Sequence, residues 1–265
     1  MSGSRPERDP GPVVDVHAHV LLPALQELVM EADPAGFAAH QKLEALRYGP
    51  ESLAVSGAMV RDRWQQLTDL DRRLQDMDAA GVGVQLVSPS PSHFYYFTGG
   101  ELAVRIAHQA NRAVRALVDR APGRLNGLGL VPLQHPALMV QALEDAVLEC
   151  GLAGVEIGSF AATPGDPERS TVELSDPRLE PFWTRAGELG GYAQCFAMFT
   201  TPDFDQWYGK PVTEVFDTML SNLEKEIELN SDIIAKAGST AEIEANRAAG
   251  KMSAILTLEG PAGIK

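Results

Sequence analysis

Val13-Val14-Asp15-Val16-His17-Ala18-His19 is an apolar run that ends in two histidines. Side chains alternate along a strand, so extended backbone here predicts Asp15, His17 and His19 on one face and Val14, Val16 and Ala18 on the other. Further short, nearly continuous apolar runs bounded by Gly, Pro or Ser follow at 82–87, 125–133, 152–157, 192–199 and 252–258. Such runs are expected of parallel strands buried on both faces. Helical patterns lie between them. The first, over 64–80, places Leu67, Leu70, Leu74 and Met77 on one side and stops at Gly81. Others are expected over 101–118, 137–149, 179–189, 212–237 and 241–249. Strands alternating with helices give βαβ units and a parallel sheet. The expected fold is α/β: a TIM-like (β/α) barrel, incomplete at six strands where a closed barrel has eight.

The length of 265 residues suits one such barrel, since about 250 is typical. Apolar residues make up 45% and charged residues 22%, which places the chain among globular rather than disordered proteins. With 22 Lys and Arg against 36 Asp and Glu, the net charge of −14 gives no footprint for nucleic acid or an anionic membrane. Two cysteines, Cys150 and Cys195, cannot build a disulfide framework or a structural zinc site. Residues 1–12 are polar and punctuated by Pro and Gly, so they read as a disordered tail without a signal peptide. The location expected is the cytoplasm.

Composition changes along the chain. Residues 1–190 hold fifteen Arg and one Lys, and residues 191–265 hold one Arg and five Lys. Isoleucine shifts likewise, from Ile106 and Ile157 alone to six in the shorter second part. Solvated faces accept Lys and Arg equally, so folding does not require this break. It divides the chain into a 13–190 portion and a 191–265 portion, the second truncated at its C-terminal end, with a junction near Gly190-Gly191.

Two imidazoles two residues apart at the C-terminal end of a first barrel strand can both reach one metal ion at the barrel mouth. H-x-H in this place resembles the amidohydrolase superfamily of metal-dependent barrels. The stretch Arg72 to Val82 (RRLQDMDAAGV), Gln85-Leu86-Val87-Ser88-Pro89, Asn111, Gly127 to Gln134 (GLGLVPLQ), Gly154-Val155-Glu156-Ile157-Gly158 and Leu174 to Trp183 (LSDPRLEPFW) follow in order. Together they resemble the aminocarboxymuconate-semialdehyde decarboxylase group over about residues 12–190. That resemblance implies zinc or another divalent metal held in part by His17 and His19, no organic cofactor, and loss of CO₂ from an aromatic or muconate-type carboxylic acid. It also implies an arginine that grips the substrate carboxylate. Arg61, seventeen residues before Asp78, falls in its place; a solvated loop or helix cap is the other reading of Arg61.

No histidine follows His135, so the later ligand and catalytic histidines and the ligand aspartate of that group have no matching positions in the sequence. Residues 188–264 instead resemble the membrane (renal-type) dipeptidases, through Gly190 to Phe199 (GGYAQCFAMF), Asn230-Ser231-Asp232-Ile233-Ile234 and Gly250 to Gly260 (GKMSAILTLEG). There the glutamate of L-x-x-E-G bridges two zinc ions, which makes Glu259 a metal ligand by resemblance; a loop or N-cap carboxylate before Gly260-Pro261 is the alternative. His40 and His108 read as helix-surface or packing residues, His93 as loop packing near the site face, and His135 as a polar cap. Cys195 reads as a buried thiol, Glu156 as a carboxylate pointing into the barrel, and Asp69, Asp71, Arg72 and Arg73 as a solvated helix face. The expected function is a metal-dependent non-oxidative decarboxylase. The alternatives are a zinc metallodipeptidase and an inactive chimeric or truncated barrel. The partner is a small carboxylic acid, with no nucleic acid or membrane, and an unclosed barrel favours a homo-oligomer.

Overall fold

The computed structural model describes residues 12–162, 171–190, 193–199 and 208–259. The chain divides into two compact units, Met1–Arg185 and Ala186–Lys265.

In the first unit, β1 (Val13–Val20) is followed by α1 (Pro23–Ala32), α2 (Pro34–Asp62), α3 (Trp64–Thr68) and α4 (Leu70–Ala80). Then come β2 (Val82–Pro89), α5 (Gly100–Asp119), β3 (Leu125–Leu130), α6 (Pro136–Glu144) and β4 (Gly154–Glu156). The four strands form one parallel sheet in the order β1-β2-β3-β4. A short antiparallel ribbon, β5 (Phe160–Ala162) with β6 (Thr171–Glu173), precedes α7 (Glu180–Glu188). In the second unit, β7 (Ala193–Phe199), α8 (Val212–Leu229), β8 (Ile234–Lys236), α9 (Thr240–Ala248) and β9 (Met252–Glu259) build a parallel sheet in the order β7-β9-β8.

The helix expected over 64–80 is two helices. Asp69 breaks it, taking an extended conformation and accepting a hydrogen bond from the Arg72 amide at 2.8 Å as the N-cap of α4. Gly81 then ends α4 with φ of 70°, a left-handed conformation that costs glycine little. The helix expected over 212–237 stops at Leu229, and Ile234–Lys236 forms β8 instead. The long α2 has no counterpart in the sequence reading; its two segments meet at Gly49-Pro50, where Gly49 takes φ of 75°.

The core of the first unit lies between the sheet and α5. That helix buries Ala103, Ile106, Ala107, Ala110, Asn111 and Val114 along one stripe. Each Ile or Val so buried contributes about 1.5–3 kcal/mol. Packing against β3 is close: a Cβ on Gly127 would meet Val114 Cγ1 at 2.5 Å, and one on Gly129 would meet Asn111 Oδ1 at 2.4 Å. Asn111 is fully buried, and its Oδ1 accepts from the Leu130 amide at 2.8 Å while Nδ2 donates to Asp145 Oδ2 at 3.1 Å. The small residues of the 127–130 segment and Asn111 are thus one packing unit.

The sheet of this unit curls. Strands β1 and β4 are three inter-strand spacings apart, about 14 Å in a flat sheet. Yet Nδ1 of His19 on β1 and Oε2 of Glu156 on β4 lie 3.8 Å apart. The C-terminal ends of the strands therefore converge on one concave face.

Candidate metal centre

His17 and His19 lie near the C-terminal end of β1, with ring centroids 4.7 Å apart and planes at 77°. Two residues of regular strand advance about 6.6 Å, so the rings sit closer than regular spacing gives. The register explains this. Asp15 pairs with Gln85 and Ala18 with Val87, so three steps on β1 oppose two on β2 and an extra residue is accommodated there.

That bulge also corrects the simple alternation expected of Asp15, His17 and His19. The Asp15 carboxylate turns to a buried polar group behind the histidines: Oδ2 accepts from Gln85 Nε2 at 2.8 Å, and Oδ1 accepts from the His17 amide at 3.1 Å. Gln85 Oε1 accepts in turn from Arg73 Nη1 at 2.6 Å, and Arg73 Nη2 donates to the His19 carbonyl at 2.7 Å. Arg73 is only 8% exposed, which corrects its reading as part of a solvated face; Arg72, paired with Asp76, does lie on that face.

His19 is half-buried, and its Nδ1 lies 3.1 Å from Ser88 Oγ at the end of β2. No hydrogen bond among the described residues engages its Nε2. Burial, reinforced by His17 and Arg73, lowers the His19 pKa from 6.5 to about 4. The ring is neutral at pH 7, which is the form that ligates metals. Two neighbouring imidazoles, one held neutral with Nε2 presented, fit a divalent metal as two of its ligands. A catalytic zinc takes three protein ligands, and among the described residues no three His, Cys, Asp or Glu side chains form a complete cage. Glu156 contributes a carboxylate to the same face.

Arg61 is exposed in the last turn of α2, and no hydrogen bond or ion pair among the described residues joins it to His17 or His19. Glu259 ends β9 opposite Phe199, and its side chain lies outside the described residues. The remaining histidines serve packing. His93 is buried, and its Nε2 accepts from the Leu22 amide at 2.9 Å. Its Nδ1 is therefore the protonated nitrogen, facing Tyr95 Oη at 3.3 Å. His135 donates from Nε2 to the Thr98 carbonyl at 2.9 Å. His108 bonds Asp145 at 2.9 Å, and His40 stacks on Phe97. Cys195 is exposed rather than buried. Ser88 and Gln85 were not singled out as site residues by their sequence; their signal was the polar pair inside the apolar run of β2.

Residues 14–214 match the amidohydrolase family. The chain belongs to the amidohydrolase family. Among relatives of this amidohydrolase, the 2-amino-3-carboxymuconate-6-semialdehyde decarboxylase of Dictyostelium discoideum is 27% identical over 180 residues, covering 67% of this chain and 46% of the relative. The gamma-resorcylate decarboxylase of Rhizobium radiobacter is 29% identical over 146 residues, covering 53% of this chain and 44% of the relative. The amidohydrolase chain thus spans less than half the length of each. Among solved structures, 2,6-dihydroxybenzoate decarboxylase from Rhizobium aligns with a TM-score of 0.52 at 21% identity, over 76% of this chain and 54% of that one. A dihydroxybenzoic acid decarboxylase from Polaromonas, solved with manganese and the inhibitor 2-nitroresorcinol, aligns with a TM-score of 0.53 at 20% identity, over 75% and 53%. The fold class is accordingly α/β, of the (β/α)-barrel type of the metal-dependent hydrolases.

Proposed function

We propose that this amidohydrolase carries the first-strand wall of a divalent-metal site that removes CO₂, without oxidation, from an aromatic or muconate-type carboxylic acid. The observation that carries this reading is the contact between the His17 and His19 rings at the end of β1, with His19 neutral and facing the Glu156 carboxylate across the curled sheet. The relatives named as decarboxylases support the reaction class, and the manganese bound in the Polaromonas enzyme supports a divalent ion. When bound, such an ion supplies Lewis acidity toward the substrate.

The residues of this chain would then divide the work. His17 and His19 hold the metal, zinc being the ion we favour, and Ser88 orients the His19 ring. Arg61 would take the substrate carboxylate through two parallel hydrogen bonds, a task suited to guanidinium. Glu259, by its likeness to the dipeptidase strand, would be a carboxylate metal ligand on the second unit. We place the protein in the cytoplasm as a homo-oligomer, with the change in composition near Gly190-Gly191 marking two inherited portions. No helix of the described residues is long and apolar enough to cross a membrane.

Elemental analysis of the purified chain, beside a His17→Ala/His19→Ala double variant, tests the metal reading. About one divalent ion per chain, lost in the variant, is the expected result. Release of CO₂ from 2,6-dihydroxybenzoate or a muconate-type acid by the loaded chain tests the reaction. Dipeptide hydrolysis without CO₂ release would shift the assignment to the dipeptidase branch, and no activity on either would leave a non-catalytic barrel.

A further inference from the structure

We propose that Asp15, Gln85 and Arg73 are positioning residues for the histidine pair, forming a hydrogen-bonded clamp that fixes the backbone from His17 to His19 and so sets the distance between the two imidazoles. The inference rests on the metal reading of that pair.

Four bonds make the clamp, and it closes on itself. The His17 amide donates to Asp15, Gln85 donates to Asp15, and Arg73 donates both to Gln85 and to the carbonyl of His19. Its two ends thus grip the first main-chain donor and the last main-chain acceptor of His17-Ala18-His19. The bulge makes such a grip necessary. Where three residues of β1 oppose two of β2, the ladder cannot hold the extra residue in register. Without the clamp the segment can relax toward regular strand spacing, which would draw the rings apart.

Burial adds to the case. Arg73 shares its buried helix face with Leu70 and Met77, where an apolar side chain would pack without desolvating a charge. A guanidinium kept there is explained by what it holds. Outer partners of this kind commonly govern metal affinity, and their loss costs about 10–100-fold.

The clamp can be cut by either of two single changes and rejoined by both together, and the double variant keeps the parent's net charge. In Gln85→Glu, the new carboxylate still accepts from Arg73 but faces Asp15 with a second negative oxygen. In Asp15→Asn, the amide opposes the Gln85 amide, donor against donor. In the double variant, Asn donates to Glu, Glu accepts from Arg73, and Asn still accepts from the His17 amide, so all four links return with the middle bond reversed.

The readout is cobalt(II) affinity by titration, together with the visible d–d spectrum of the bound ion; far-UV circular dichroism monitors the fold. Each single variant is expected to bind cobalt(II) about 10–100-fold more weakly with an altered spectrum, and the double variant to recover most of both. Single variants that bind as tightly as the parent with the same spectrum would overturn the clamp, as would a double variant no better than either. If a single variant does not fold, the double variant decides alone: near-parental affinity supports the clamp, and lost affinity or failure to fold overturns it. A parent chain that binds no cobalt(II), or binds it equally after His17→Ala/His19→Ala, would instead remove the metal reading itself.

Discussion

The Arg73 guanidinium donates to the main-chain carbonyl of His19 at 2.7 Å, tying the outer helix α4 to the strand that carries the histidine pair. Replacement of Arg73 by Met leaves that carbonyl and the Gln85 side-chain oxygen without their donor. We expect a loss of about 3 kcal/mol, since each stranded buried acceptor costs 1–3 kcal/mol. Urea unfolding should show a lower midpoint with an unchanged slope; an unchanged midpoint would mean that water replaces the guanidinium at no cost.

Ser88 Oγ lies 3.1 Å from His19 Nδ1. Ser88→Ala frees the ring to turn and leaves Nδ1 without that partner. Metal affinity should fall about tenfold, with little change in thermal stability, because only one small polar group is lost. Competition against a chromogenic chelator measures it.

Gly129→Ala drives a methyl group to 2.4 Å from Asn111 Oδ1 and 2.9 Å from Ala146 Cβ. Neither neighbour is the end of a flexible chain, and Asn111 is held at both ends of its amide. The expected destabilisation is 1–3 kcal/mol, the usual range for overpacking. Because Asn111 and Gly129 share one contact, the cost of adding Asn111→Ala should be smaller in this background than in the parent. A double-mutant cycle in urea would reveal additivity if the contact does not matter.

His93 gives the fold an acid limit. Burial lowers its pKa from 6.5 to about 4, so between these values the unfolded chain binds more protons than the folded one. Stability from this group is fully present above pH 6.5 and is lost as pH falls toward 4, by about 3 kcal/mol. In His93→Gln the amide oxygen can still accept from Leu22, and the fall in unfolding free energy between pH 6.5 and 4 should flatten. An identical pH profile in the variant would assign the acid limit to other groups.

Much of the first unit was legible from the apolar runs. Strands β1, β2, β3 and β4 follow short blocks bounded by Gly, Pro or Ser, and β7 and β9 do the same in the second unit. What escaped had weak local signals. Strand β8 is three residues at the end of a long helical pattern, held by pairing to Met252, Ser253 and Ala254 rather than by its own propensity. The break at Asp69 hid inside an unbroken apolar stripe, because one extended residue scarcely shifts the helical period. Arg73 was misread for a similar reason. Beside Arg72 in a charged stretch, nothing local says that one guanidinium turns inward, and its partners Gln85 and His19 come from other strands. The closeness of His17 and His19 was legible because two positions apart on one strand makes them neighbours; the bulge that brings the rings together depends on β2.

The curl that brings His19 to Glu156 has a bearing on how the protein is made. His19, Ser88 and Glu156 come from the first, second and fourth strands, all within one sheet built from neighbouring segments of chain. A growing polypeptide can therefore close this wall once residue 156 has cleared the ribosome, before the second unit has emerged from it. On the proposed metal reading, the two imidazoles would be placed to take a metal ion on a nascent chain, and capture at that moment would stabilise the early sheet against unfolding while translation continues.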